Sequence, residues 1–183
     1  MTTSKAYIDF IKKLKNIYEE REAENIADWI FENVTGFKKW ERRANADKEL
    51  TEIPSNKIEK YLEELLQNKP VQYVLGEWWF YKRKFYVNEN VLIPRPETEE
   101  LVEWIIKDIS EINTNASKPT NIIDIGTGSG CIPISLKKQL PKQNVTSIDI
   151  SEKALLVAKK NAEDLKAEIE FFQIDFLNKK EWN

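Results

Sequence analysis

The chain has 183 residues, room for one ordinary domain or a small one followed by part of a second, which excludes a large multidomain machine. Apolar residues at 41% and aromatics at 11% exclude global disorder, and 28 Lys and Arg against 31 Asp and Glu leave a net charge of -3, too balanced to announce a nucleic-acid or anionic-membrane partner by bulk electrostatics. With no histidine and a single cysteine, Cys131, the chain lacks a Ser-His-Asp triad, a His base, an internal disulfide and the usual metal-ligand sets.

The first seventy residues read as helices, and residues 1–70 are expected to form a small helical domain. Tyr7, Ile11, Leu14 and Ile17 with Tyr18 recur three and four apart among Lys and Glu, so one stripe is buried, and Ser4 is the expected N-cap. This amphipathic start is unlike a signal peptide, and no apolar run approaches the ~20 residues of a membrane span, so no membrane contact is expected and the cytoplasm is the expected location. A second run carries Ile26, Trp29, Ile30 and Val34 and stops near Gly36; a short third element includes Phe37 and Trp40. After Pro54 and Ser55, a further run places Ile58, Tyr61, Leu62, Leu65 and Leu66 on one face until Pro70 ends it.

Between residues 77 and 93 the period changes to two. EWWFYKRKFYVNENVLI predicts a β-hairpin turning near Lys82-Arg83, within a linker spanning residues 71–96. Pro94-Arg95-Pro96 holds the backbone extended, and Pro96 suits the first turn of a helix. Glu97, Glu99 and Glu100 then fall at that helix's positive end, and Leu101, Val102, Ile105 and Ile106 form its apolar face. SEINTNASKPT, residues 110–120, reads as a loop. From there strand and helix alternate: strands at 121–125, 145–150 and 169–174, helices at 131–140 and 151–165. Such alternation implies right-handed crossovers and a parallel sheet with helices on both faces. The expected class is α/β, with residues 97–183 forming the first part of a doubly wound, Rossmann-like sheet.

Asp124-Ile-Gly126-Thr-Gly128-Ser-Gly130-Cys131 stands where a strand hands over to a helix. Glycines there permit a tight turn with bare backbone against a ligand, and free N–H groups at the helix start favour a carboxylate or phosphate. A dinucleotide fingerprint would need its third glycine where Cys131 stands; the chain has G-x-G-x-G behind Asp124 instead. Asp149, at the end of the second strand, is placed to accept both hydroxyls of a ribose. Asp175 and Phe176, after the third, offer a carboxylate for an adenine amino group and a ring for the base. Ligands in doubly wound sheets bind at the carboxyl ends of the strands, so these groups together predict a nucleoside-bearing cofactor. Taken singly each has a plainer reading: a turn, the start of a helix beside Ser151, a surface turn residue.

This constellation resembles the class I S-adenosylmethionine-dependent methyltransferases, whose first motif is similar to Asp124 through Gly130. The helical start, KPVQYVLGEWWFY at 69–81, VLIPRPETEELVEW at 91–104 and IIDIGTGSGCIPISL at 122–136 narrow it. Over nearly its whole length the chain closely resembles the peptide chain release factor glutamine methyltransferases, the PrmC/HemK family. The resemblance implies S-adenosylmethionine-dependent methyl transfer to the side-chain amide nitrogen of the Gln in the Gly-Gly-Gln loop of class 1 release factors. It assigns Gly126, Thr127, Gly128, Ser129 and Gly130 to the methionine cradle, with Asp124 beside them, Asp149 to the ribose, and Asp175 and Phe176 to the adenine. It also makes residues 1–70 a substrate-recognition domain. Arg95, Pro96 and Thr98 match a PRPET segment near the cofactor, although a rigid helix start accounts for Pro96 and Glu97 as well.

The family's catalytic Asn-Pro-Pro-Tyr, which follows its fourth strand, is absent, and Asn183 is followed by neither proline nor tyrosine. No catalytic residue is therefore assigned, and the chain alone is expected to be inactive. The family's chemistry is mainly positioning of the amide nitrogen at the sulfonium methyl and needs no strong base. In the family's full sheet a fourth strand pairs beside the first, so the parent protein is expected to be longer by a half-domain. An open apolar edge at Asn121–Ile125 should make this chain marginally stable or self-associating. Two other readings stand beside this one. The first is an adenine-N6-type amino-methyltransferase acting on nucleic acid, supported only by Lys38-Lys39 with Arg42-Arg43 and by Lys82-Arg83-Lys84; direct nucleic-acid contact is not expected, since such clusters are usually solvated faces. The second is a non-catalytic protein-binding module, favoured by exposure of Trp29, Trp40, Trp78 or Trp79. No metal is expected.

Overall fold

The computed structural model describes residues 1–113, 119–178 and 180. The chain divides into two compact units, residues 1–75 and 76–183. In the first, α1 (Thr3–Leu14) starts at Thr2, whose side chain accepts the N–H of Lys5. Ser4 is not the cap: its N–H donates to Ala46 O at 3.0 Å while Thr3 bonds Lys48 O through both its N–H and its hydroxyl, so a contact with a later loop fixes where the helix begins. The second helix, α2 (Glu20–Thr35), ends at Gly36, which at φ +72° donates its N–H to Glu32 O. Then follow α3 (Lys39–Ala44), α4 (Glu52–Leu66) and α5 (Val71–Leu75). Pro54 sits within the first turn of α4, where its missing N–H costs nothing, so the helix starts earlier than the proline suggests. Residues 71–75, part of the expected linker, form a helical turn whose start is set by the Pro70 carbonyl, and Val71 and Val74 join the core of the helical unit. Phe31 lies at that core's centre, edge-on to Tyr7 and Phe10 at 5.2 and 5.6 Å.

A partly buried ionic cluster joins α1, α2 and α3. Asp28 accepts the Tyr7 hydroxyl at 2.6 Å and an Arg42 N–H on one oxygen, and Lys39 Nζ at 2.8 Å on the other, while Arg42 lies over the Tyr7 ring at 3.9 Å. Burial alone would raise the Asp28 carboxyl, but the hydrogen bonds from Lys39, Tyr7 and Arg42 bring it below its ordinary value. Burial and the bond to Asp28 push the Tyr7 phenol up.

In the second unit, β1 (Glu77–Phe80) and β2 (Arg83–Tyr86) form the hairpin, with Phe80 paired to Arg83. The turn is Tyr81-Lys82, one residue earlier than the sequence places it, with φ +46° and +61°. Positive φ at both positions is the type I′ pattern, whose twist suits a two-residue hairpin, and this register puts both Phe80 and Phe85 inside. Glu99 steadies the turn by accepting the Tyr81 N–H at 2.9 Å. The helix carrying Glu99, α6 (Glu97–Asn113), runs into the stretch read as a loop, with the Ser110 hydroxyl bonded back to Ile106 O at 2.7 Å. Residues 114–118 of that stretch lie outside the described residues.

The remaining elements are β3 (Asn121–Ile125), α7 (Cys131–Gln139), β4 (Asn144–Asp149), α8 (Glu152–Asp164) and β5 (Glu170–Gln173), and the sheet is parallel in the order β3-β4-β5. Among the described residues the helices cover one face only. Successive strands step in the same direction, so right-handed crossovers place α7 and α8 on the same side. Ile122 and Phe171 pack there with Ile134 and Val102. The other face presents Ile123, Ile125 and Phe172 at 59%, 48% and 48% exposure.

Replacing Asp28 with Ala strands the buried Arg42 and should cost roughly 2 kcal/mol, less than a fully buried pair because Asp28 keeps some solvent contact. The folded carboxyl titrates below its unfolded value, so its contribution is present at neutral pH and is lost as pH falls through the lowered value. Urea titrations of both proteins should therefore show a gap at pH 7 that narrows in acid.

Candidate cofactor site

At the end of β3 the chain turns by borrowing from β4: the Gly126 and Thr127 N–H groups both donate to Ile148 O, at 2.9 and 3.1 Å, and Gly130 N–H closes the turn on Thr127 O at 2.9 Å. Two glycines show the two uses of a missing side chain. Gly130, at φ +76°, lies where a Cβ would come within 3.1 Å of Ala158 Cβ and Ile134 Cδ1, so α8 packs directly on the turn. At Gly128, φ +54°, an added Cβ meets nothing within 4 Å, and bare backbone faces open space. Thr127 and Ser129 are different from what a cradle suggests: both are buried, at 7% and 3% exposure, so their side chains are not offered to a ligand.

The tip of β4 comes to the loop. Asp149 accepts the Gly128 N–H on one carboxylate oxygen and the Ser151 N–H on the other, both at 2.9 Å. A carboxylate offers about four acceptor positions, so two remain for a vicinal diol. The tip of β5 lies alongside: Ile174 N–H donates to Asp149 O at 3.1 Å and Gln173 Nε2 to Ile150 O at 3.2 Å. Just beyond, Asp175 organises a turn by accepting the Leu177 N–H at 3.0 Å, and the Phe176 ring is partly exposed. Thr98 is half-buried in the first turn of α6, its N–H on Arg95 O, and α6 packs along α7. Its neighbour Glu99 is engaged with the hairpin turn.

Beneath the loop the chemistry is less comfortable. Asp124 and Ser147 are register partners on one face of the sheet, and Asp124 Oδ2, Ser147 Oγ, Thr127 Oγ1 and Ser135 Oγ are buried without an aligned hydrogen-bond partner. Burial raises the Asp124 carboxyl above its ordinary value and the charge of Asp149 adds to this, with Thr127 holding the shift back. The Cys131 thiol is pushed up by burial to about 11.

Sequence reasoning passes over Asn161, a hub of this region. At 1% exposure, its Nδ2 donates to Ser129 O and Tyr86 O, both at 2.9 Å, and its Oδ1 accepts the Tyr86 N–H at 2.7 Å. The available signal was a polar residue on the buried stripe of Ala154, Leu155, Ala158 and Ala162. Among the described residues no cluster of three or more His, Cys, Asp or Glu could hold a metal ion, and no helix is long and apolar enough to cross a membrane.

Residues 5–76 match the PrmC N-terminal domain, and residues 109–183 match the methyltransferase small domain. A release factor glutamine methyltransferase of Flavobacterium psychrophilum is 44% identical over 95% of this chain and 60% of its own length. One of Enterococcus faecalis is 38% identical over 92% of this chain and 59% of its own. The chain thus spans about 60% of the length of these curated relatives. Among solved structures, the SAM-dependent methyltransferase of Agrobacterium tumefaciens is similar at a TM-score of 0.42 and 20% identity, over 55% of this chain and 33% of that one.

Because the Asp124 carboxyl is raised in the folded protein, its stabilising proton is fully in place below the unfolded value of about 3.9 and is lost as pH rises through the raised value. Above that point the fold carries a poorly solvated charge. Asp124→Asn should therefore raise the melting temperature at pH 7, with the gain shrinking as pH falls through the raised value, as thermal melts over a range of pH would show.

Proposed function

We propose that this chain, a relative of the release factor glutamine methyltransferases over nearly all its length, binds S-adenosylmethionine across the tips of β3, β4 and β5. In the whole protein, that site serves methyl transfer to the side-chain amide nitrogen of the glutamine in the Gly-Gly-Gln loop of class 1 peptide chain release factors, in the cytoplasm. The observation that carries the reading is the Asp149 carboxylate, held 2.9 Å from the Gly128 N–H with two acceptor positions free, beside backbone that faces open space. On this reading Gly126, Gly128 and Gly130, with the backbone of Thr127 and Ser129, receive the methionine portion, whose carboxylate suits the N–H groups at the start of α7. Asp149 takes the ribose hydroxyls, Asp175 and Phe176 flank the adenine, and Thr98 stands at the start of the neighbouring helix. Asp124 lies beneath the loop and acts on it through charge. When bound, the cofactor supplies an activated methyl on a sulfonium centre. The chain's own contribution is to hold that donor in place, which needs no side-chain base.

A nucleic-acid acceptor is less favoured. Lys39 and Arg42 of the first basic cluster are committed to Asp28, and Lys84 of the second to Glu77. Exposed Trp40 and Trp79, at 67% and 61%, favour a protein partner and suit the helical unit and the hairpin for recognising one.

Calorimetric titration of the chain with S-adenosylhomocysteine should show binding, weakened about tenfold or more by Asp149→Ala, the loss of one or two hydrogen bonds to a charged acceptor. Unchanged affinity in that variant would remove Asp149 from the site. For the acceptor, a protein that also carries Asn-Pro-Pro-Tyr should be given labelled methyl donor with release factor and DNA in competition. Label on the factor's Gln is expected; label on DNA would overturn the assignment.

A further inference from the structure

We infer that Asn161 is a positioning residue for the glycine loop: its carboxamide sets the orientation of the Ser129–Gly130 peptide and locks that peptide to strand β2. Its importance for binding rests on the cofactor reading above; its effect on the loop does not.

A carboxamide has one acceptor group and two N–H donors, and here the acceptor and both donors are used. Towards the hairpin, Asn161 offers Tyr86 the donor and acceptor pair that a neighbouring strand would supply, accepting its N–H and donating to its carbonyl. The free edge of β2 is thereby closed by a side chain. Towards the loop, the second N–H holds the Ser129 carbonyl. A trans peptide is planar, so fixing that oxygen also fixes the Gly130 N–H on the opposite side, which is the group that closes the turn on Thr127 O. Thr127 O in turn belongs to the Thr127–Gly128 peptide, whose N–H, that of Gly128, is the one that meets Asp149. Asn161 lies three residues along α8 from Ala158, the residue against which Gly130 packs, so α8 grips the turn by contact at one position and by hydrogen bond at the next.

The burial of Asn161 separates it from the other polar groups nearby. Ser135 and Ser147 are buried with unpaired hydroxyls, whereas Asn161 is buried with three bonds made. A leucine of similar size would fit the apolar stripe but would leave the Ser129 carbonyl and the backbone N–H and carbonyl of Tyr86 without the bonds Asn161 gives them.

Hydrogen exchange on the ligand-free chain tests the effect on the loop. In Asn161→Leu, amide exchange at residues 128–130 should speed up by about tenfold or more, and S-adenosylhomocysteine should bind about tenfold more weakly. Asn161→Asp keeps the acceptor for Tyr86 N–H but, when ionised, turns a charge on two carbonyl oxygens; when protonated it can donate to one. Measured as protection factors and compared with wild type at each pH, so that intrinsic exchange and the titration of Asp124 cancel, its loop protection and its affinity should therefore approach wild type in acid and fall below it as pH rises through the raised value of the buried carboxyl. Val102→Ala, a core truncation in α6, is the control for a merely structural role: it should lower the melting temperature while leaving exchange at 128–130 and affinity unchanged. Wild-type loop exchange in a folded Asn161→Leu, or an Asn161→Asp loop without the pH profile, overturns the inference. Failure of the wild-type chain to bind the nucleoside overturns the cofactor reading instead, and the exchange comparison still decides the role of Asn161.

Discussion

A helix can lie against the turn after β3 only because residue 130 has no side chain. Gly130 supplies the positive φ that bends the chain out of the strand and the empty volume into which Ala158 of α8 fits. Once α8 is that close, a side chain one turn further on reaches the Ser129 carbonyl and the backbone of β2 together, and the hairpin, the loop and α8 become one hydrogen-bonded assembly. The inner side of the turn is thereby saturated, by Ile148 O, by Asn161 and by Ala158. Its outer side is left bare, and that asymmetry is what a binding loop requires: rigid where it meets the fold and unoccupied where it meets a ligand.

Three carboxylates show how differently the same group is treated across the chain. Asp28 receives bonds from Tyr7, Lys39 and Arg42 and sits below its ordinary value, which is what a structural ion pair looks like. Asp124 is buried with one oxygen unpartnered and sits above it, an arrangement the fold does not need for its own stability. Asp149 is bonded differently from both, with two backbone donors fixing its direction and acceptor capacity left over. A poorly compensated acid beneath a loop and a half-used acid at its rim are the local conflicts expected where binding, rather than packing, chose the residues.

Much of the second unit was legible because its signals are local. β3 is an apolar run halted by Gly126, α8 begins at a serine that caps it, and α2 ends at a glycine in the left-handed region. What was not legible depended on partners far along the chain. The hairpin turns at Tyr81-Lys82, residues with no turn propensity, because burying Phe80 and Phe85 fixes the register and Glu99 accepts the strained amide. Ser4 is an ordinary capping residue that loses to Thr2 because of a loop more than forty positions away. Thr127 and Ser129 sit in the right motif, but whether a side chain in a tight turn faces ligand or core is decided by the helix that packs on it. Asn161 was the hardest to see, since its three partners lie on two other elements and its own neighbourhood reads as plain amphipathic helix.

The covered face of the sheet and the strand tips also explain each other. Because β3, β4 and β5 are laid down in one direction, both crossover helices fall on one side, and each begins directly after a strand tip. The N–H groups at the start of α7 and the carboxylate before α8 are therefore brought to the same end of the sheet because the strands are parallel, and both helices to the same face by the handedness of the crossovers. The glycine turn adds clearance and Asp149 adds a directed acceptor. On the proposed cofactor reading, the match of a positive helix end to an anionic group and of a carboxylate to a diol follows from the order and direction in which the strands are paired, with the side chains between them refining it.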